Sequence, residues 1–171
     1  MSDATRALLD KQAIHETLQR YCRGVDRMDR ELTRSCWHPD GTADYQGMFE
    51  GGVAALLDWM WALHETMQTH SHQLTNCLIE LAEDRAVSEA YVTVALRTRP
   101  GRDGVRDVLT RGRYLDRWSR REGRWAIDHR HYLSDWLTSL PVGDAPTSPV
   151  AGRRDPQDPS YAAFAELRSR S

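Results

Sequence analysis

Cysteine is scarce in this chain. Three thiols, Cys22, Cys36 and Cys77, are spread over 171 residues, and no two of them form a C-x-x-C pair. An odd, dispersed set argues against a disulfide framework or a thiolate zinc site and fits a reducing compartment, so a cytoplasmic location is expected. No run approaches the roughly 20 apolar residues of a membrane span. The opening MSDATRALLDKQ lacks the basic start and apolar core of a signal peptide. One-sided charge is missing too. The 23 basic and 25 acidic residues leave a net charge of -2, which offers no electrostatic footprint for nucleic acid or an anionic membrane. Lys11 is the only lysine, and nothing about partners follows from that. The chain has no G-x-S-x-G, P-loop, dinucleotide fingerprint or H-E-x-x-H, so any catalysis is expected to be cofactor-free.

The remaining composition, 40% hydrophobic and 28% charged, is that of one ordinary globular domain. Residues 5–27 carry Ile14, Leu18, Tyr21, Cys22 and Val25 at helical spacing, which predicts an amphipathic helix with Asp26 at the end of its apolar stripe. Asp29 has the chemistry of an N-cap for a short second helix, RELTRSCW, which HPDG ends in a turn. TADYQGMF reads as a strand that EGG breaks, and residues 53–67 read as a third helix. Long strands are predicted at about 70–82, 86–98, 106–119 and 124–136, with AEDR and RREGR as hairpin turns. Helices first and a strand meander after them is the layout of an α+β domain with helices on one sheet face. Five of the seven prolines fall between Pro141 and Pro159, so residues 1–140 read as the domain and 141–171 as an irregular tail. Within the tail, SYAAFAELR forms a short helix with Tyr161, Phe164 and Leu167 on one side, a stripe that needs its own domain or a neighbouring subunit to dock on.

Strict alternation along HSHQLTN puts His70, His72, Leu74, Asn76 and Leu78 on one face. That mixture of polar and apolar groups suits a pocket wall. It equally suits a hydrogen-bonded histidine at a sheet rim, which is the commoner case. The pairs His70/His72 and His129/His131 have a spacing that could share a metal, but no thiolate or acid stands near them in sequence, and a metal site is not expected. Asp26 is either a helix-end carboxylate half in water or the partner of a histidine, fixing the ring tautomer and leaving the other nitrogen as a base. Sequence spacing does not decide between these. Tyr45, Phe49, Trp59, Trp61 and Tyr91 are core residues in the main, and a subset lining a hollow would suit a flat apolar substrate.

The stretches AIHETLQRYCRGVDRMDRELTRSCWHPDGTADY and GRYLDRWSRREGRWAIDHRHYLSDW, with HQLTN between them, resemble the SnoaL-like branch of the NTF2-like superfamily. The resemblance implies a curved antiparallel sheet wrapped around N-terminal helices into a cone with a deep cavity. Within the branch the chain is most similar to cofactor-independent lyases: hexachlorocyclohexane dehydrochlorinase, bile acid 7α-dehydratase and scytalone dehydratase. The dehydrochlorinase carries its catalytic aspartate in a G-V-D context, matched by Gly24-Val25-Asp26, and its catalytic histidine opens an H-x-x-T-N strand, matched by His72-Gln73-Leu74-Thr75-Asn76. The bile acid enzyme adds a tyrosine five residues before the aspartate, matched by Tyr21. Two departures stand out. YVTVALR supplies no counterpart of the bile acid enzyme's further acid, and the dehydrochlorinase's pocket tryptophan falls at Ala43.

The resemblance therefore implies a lyase acting on a small hydrophobic, aromatic or polycyclic substrate, with His72 as base, Asp26 as its charge partner and Tyr21 on the leaving oxygen or developing anion. Asn76, Tyr45, Phe49, Trp59, Tyr91, Arg113 and His129 are the expected substrate-lining residues. Loss of water is the first expectation, with halide or formaldehyde compatible with the same pair. A ketosteroid-type isomerase or polyketide cyclase is the alternative enzyme, and a partner like the β subunits of ring-hydroxylating dioxygenases the alternative without catalysis. A homo-oligomer, trimer or dimer, is implied as well.

Overall fold

The computed structural model describes residues 2–102, 104–143 and 152–169. Ser2 caps the first helix, α1 (Asp3–Asp26), by accepting the Thr5 amide at 3.2 Å. The expected stripe is buried: Ile14, Leu18, Tyr21, Cys22 and Val25 all face the interior. The helix ends in a Schellman arrangement, with the Asp29 amide donating to the Gly24 carbonyl at 2.8 Å and the Met28 amide to that of Val25 at 3.1 Å. Met28 takes the left-handed position, at φ 54°. Asp29 then caps α2 (Arg30–Ser35), accepting the Leu32 amide at 3.0 Å. The two helices meet closely at Gly24, where a Cβ would lie 2.4 Å from Thr33 Oγ1. Glycine is required there.

HPDG, expected as a turn, lies instead inside β1 (Trp37–Asp44). EGG, expected as a breaker, is itself β2 (Glu50–Gly52) and pairs antiparallel with β1. At EGG ladder pairing outweighs local turn chemistry, whereas HPDG forms an irregularity where the register of β1 with β6 shifts between Trp37 and Thr42. After α3 (Val53–Glu65) come β3 (Met67–Ala82), β4 (Arg85–Thr98), β5 (Arg106–Arg121) and β6 (Arg124–Pro141), each close to its expected span. The sheet has six strands in the order β2-β1-β6-β5-β4-β3. β1 runs parallel to β6 while every other pair is antiparallel. The sheet is therefore mixed rather than wholly antiparallel, and it stays open between β2 and β3.

One sheet face carries the core. Ala90, Val92 and Val94 of β4, Tyr114 and Trp118 of β5, and Ile127 and Tyr132 of β6 are buried together with Leu18 of α1 and Leu56, Leu57 and Met60 of α3. Each such side chain withdrawn from water stabilises the fold by about 1.5–3 kcal/mol, before chain entropy is charged against it. β3 departs from strict alternation. Its register with β4 shifts between Thr75 and Cys77, and the extra residue Asn76 has φ 45°. His70, His72 and Leu74 face inward before this bulge, whereas Cys77, Ile79 and Leu81 pack inward after it. Leu78, expected on the inner face, is 65% exposed.

The tail helix, α4 (Pro159–Arg168), packs on its own chain. The Arg23 guanidinium stands 5.0 Å from the Tyr161 ring and 4.9 Å from the Phe164 ring. The Tyr161 hydroxyl donates to Asp29 at 3.0 Å. Leu167, expected in the same stripe, is exposed. Among the described residues no helix is long and apolar enough to cross a membrane.

Candidate active site

Asp26 stands at the C-terminal end of α1, facing the inner side of β3. Its Oδ1 accepts His72 Nδ1 at 2.7 Å and its Oδ2 accepts the His72 backbone amide at 3.0 Å. The pair is nearly enclosed, with side-chain exposures of 14% and 7%. An ionised carboxylate can only accept, so Nδ1 is the nitrogen that donates, and it is Nε2 that a neutral form of the ring would present as a lone pair. Among the described residues no hydrogen bond occupies Nε2. Both carboxylate oxygens are engaged by one residue, one by its ring and the other by its backbone amide.

Tyr21 lies about a turn and a half before Asp26 on α1. Its hydroxyl shares a hydrogen bond with that of Tyr45 at 3.0 Å and meets Met60 Sδ at 3.8 Å. Burial, reinforced by neighbouring Tyr45, pushes the Tyr21 phenol well above its ordinary range, so it remains a hydrogen donor. Tyr45 in turn packs against Trp59 and Tyr132, with ring centroids at 5.5 and 5.2 Å, and Phe49 stacks on Trp59 at 5.4 Å. Tyr21, Tyr45, Phe49 and Trp59 thus form one aromatic group. On α3, Met60 touches this group while His64, one turn on, lies 5.9 Å from the His72 ring. The aromatic group and the Asp26–His72 pair are neighbours along the same helical faces.

Four expected lining residues stand elsewhere. Asn76 occupies the bulge and is exposed, so it does not share the inner face with His72. Tyr91 alternates with buried Ala90 and Val92 and is 40% exposed on the outer face. Arg113, opposite Tyr91 across the ladder, reaches Glu89 at 3.6 Å and Asp135 at 3.5 Å on that same outer face. His129 bonds the Thr42 hydroxyl at 2.8 Å, again outside the core. His70, read from sequence as a rim candidate, is buried at 4% exposure.

Sequence reasoning missed the most buried charges. Arg130 donates to both oxygens of Asp116, each at 2.8 Å, and both side chains are wholly enclosed. The guanidinium lies 4.2 Å from the Tyr21 ring and 3.7 Å from that of Tyr114, and among the described residues its Nη1 has no hydrogen-bond partner. Burial alone would push the guanidinium down, but Asp116's charge and hydrogen bonds hold it well above its usual value. The signal was present as two charges at inward-facing alternate positions, Tyr114-x-Asp116-x-Trp118 and Arg130-x-Tyr132. His64 was also missed. Desolvation, with His70 and His72 close by, takes it down to about 2, and desolvation takes His70 to about 4, so both rings are neutral. Burial holds Cys22 up at about 12, which leaves it an unreactive thiol. Among the described residues no three His, Cys, Asp or Glu side chains are grouped to hold a metal ion. The principal surface hollows, at the sheet ends and beside α1 and α4, do not include Asp26 or His72.

An open sheet wrapped on helices, with a carboxylate–imidazole pair inside, defines a class of small α+β proteins. The chain belongs to the SnoaL-like domain family, whose sequence model matches residues 6–131. Among solved structures it is similar to the hexachlorocyclohexane dehydrochlorinase LinA-type3 of Novosphingobium barchaimii, at 22% identity and a TM-score of 0.71, over 85% of this chain and 100% of that one. A scytalone dehydratase-like protein of Novosphingobium aromaticivorans is 21% identical, with a TM-score of 0.72, over 86% of this chain and 99% of the other. A protein of unknown function from Mycobacterium tuberculosis is 25% identical, with a TM-score of 0.67, over 79% and 77%. These likenesses carry the fold. No curated protein matches the chain.

Proposed function

We propose that the chain is a cofactor-independent lyase, first of all a dehydratase, acting on a small hydrophobic substrate of aromatic or polycyclic type. The observation that supports this is the double contact of Asp26 with His72 beside an unoccupied Nε2. In the proposed step Nε2 takes a proton from a carbon, and the C–H electron pair forms the new double bond. The adjacent C–O bond breaks, and its hydroxyl leaves as water with a proton returned by the imidazolium or donated by Tyr21. Asp26 offsets the positive charge that His72 gains. Tyr45, Phe49 and Trp59 would supply flat apolar walls. The dehydrochlorinase and the scytalone dehydratase-like protein named among the neighbours are compatible with this class, although fold alone does not specify chemistry. The proposal includes a cytoplasmic homo-oligomer, trimer or dimer.

Proton transfer without elimination, as in an isomerase or cyclase, uses the same pair. Incubation with hydroxylated aromatic and steroid compounds, followed by mass spectrometry, separates the two. A product lighter by one water is expected. A product of unchanged mass would replace the lyase reading with the isomerase one.

A further inference from the structure

Among the described residues the His70 side chain makes one hydrogen bond, and it points at the residue before Asp26. Its Nε2–H donates to the Val25 carbonyl at 2.6 Å inside the protein. That carbonyl already accepts the Met28 amide at 3.1 Å, so the helix end has a partner without His70. The histidine is also poorly served in return, because among the described residues its buried Nδ1 has no hydrogen-bond partner, nor has Nδ1 of His64. Leaving a buried polar atom unpaired costs about 1–3 kcal/mol, and an apolar side chain would pack at this position without that cost. Packing is therefore a poor account of a histidine here.

We propose that His70 is a positioning residue for the Asp26–His72 pair; this rests on reading that pair as the working dyad. Three hydrogen bonds tie residues 25–26 to residues 70–72: His70 Nε2–H to the Val25 carbonyl, the His72 amide to Asp26 Oδ2, and His72 Nδ1–H to Asp26 Oδ1. The two carboxylate bonds tie only the aspartate side chain to β3, while its backbone is held within the end of α1. The third ties the Val25–Asp26 peptide itself to β3, so that helix end and strand keep one spacing. His70 is itself held from behind. The His64 ring packs edge-on to it at 4.4 Å. Arg154, from the tail, donates to the His64 carbonyl at 2.7 Å and to the Met67 carbonyl, across the turn joining α3 to β3. Since burial keeps His70 neutral, its Nε2–H remains a donor with no competing N–H on the other nitrogen.

The test uses His70→Phe, which fills the volume without a donor, and His70→Gln, whose amide restores one. Imidazole 15N spectra of labelled full-length protein report the His72 tautomer without any substrate. Wild type and His70→Gln are expected to hold the Nδ1–H form, and folded His70→Phe to show a tautomer mixture. With the substrate found by mass screening, His70→Phe should lower kcat by about 10-fold with KM within about twofold, and His70→Gln should recover most of the loss. A folded His70→Phe protein with an unchanged His72 tautomer and unchanged kcat would overturn the assignment. If His70→Phe does not fold, a folded His70→Gln protein that shows the tautomer mixture overturns it equally. Full activity in His72→Ala would instead remove the proposed dyad, and the tautomer spectra would still decide the role of His70.

Discussion

At the scale of single residues, Asp26 does two jobs with two oxygens: one orients the His72 ring and the other holds its backbone. Asp26→Asn keeps the shape but supplies an amide that no longer selects the Nδ1–H tautomer. Turnover is expected to fall by about 10³–10⁴-fold with the circular dichroism spectrum unchanged, and steady-state kinetics on the screened substrate checks it. The neighbouring histidines carry a stability signature. Burial holds His64 at about 2 and His70 at about 4 in the folded chain, against about 6.5 when unfolded. Their contribution is complete above pH 6.5 and is lost as the pH falls toward the folded values, because only the unfolded chain takes up those protons. Between pH 7 and 5, wild type should lose about 2 kcal/mol more unfolding free energy than His64→Leu, as measured by urea denaturation. Equal losses would mean His64 is not buried neutral. Asp26 and His72 stood out singly in the sequence, but their pairing was visible only through the family resemblance. Spacing gave Asp26 and His72 no reason to meet, since 46 positions separate them and only the packing of α1 on β3 closes that distance.

At the scale of elements, the helical stripe and the Asp29 cap were legible because they depend on local periodicity and on one side chain reaching its own turn. The bulge in β3 was not. Period-two alternation assumes an unbroken ladder, and Asn76 breaks it with a left-handed backbone at φ 45°. That single residue explains why Leu78 points outward while Cys77 and Ile79 join the core. Asn76→Val should destabilise by about 1–2 kcal/mol, and Asn76→Gly should be neutral or better, both measured by thermal unfolding. Matching loss in the two variants would argue against the left-handed bulge. β1 was misread at its start for a related reason. HPDG keeps its turn chemistry as an irregularity within the strand, because the register with β6 jumps from Trp37 opposite Ile127 to Thr42 opposite His129. The outer-face positions of Tyr91, Arg113 and His129 depend on strand phase, which the sequence alone leaves open by one residue.

At the scale of the whole molecule, the Arg130–Asp116 pair joins β5 and β6 beneath the aromatic group. Breaking a buried pair leaves an unpaired charge, so Asp116→Ala should cost about 3–5 kcal/mol, whereas replacing both partners by apolar residues should cost much less. Denaturation of the single and double variants gives the comparison. The tail adds a second long-range tie, with α4 seated on Arg23 of α1 and on Asp29, the cap of α2, and Arg154 bracing the α3–β3 turn behind His70. The tail contacts flank the end of α1 that presents Asp26, while the Arg130–Asp116 pair lies under Tyr21 earlier on the same helix. The central claim, that Asp26 and His72 form a working acid–base pair, is tested most directly by comparing turnover of one screened substrate by wild type and His72→Ala at matched folded concentration. A loss of about three orders of magnitude or more is expected in His72→Ala. Equal rates would contradict it.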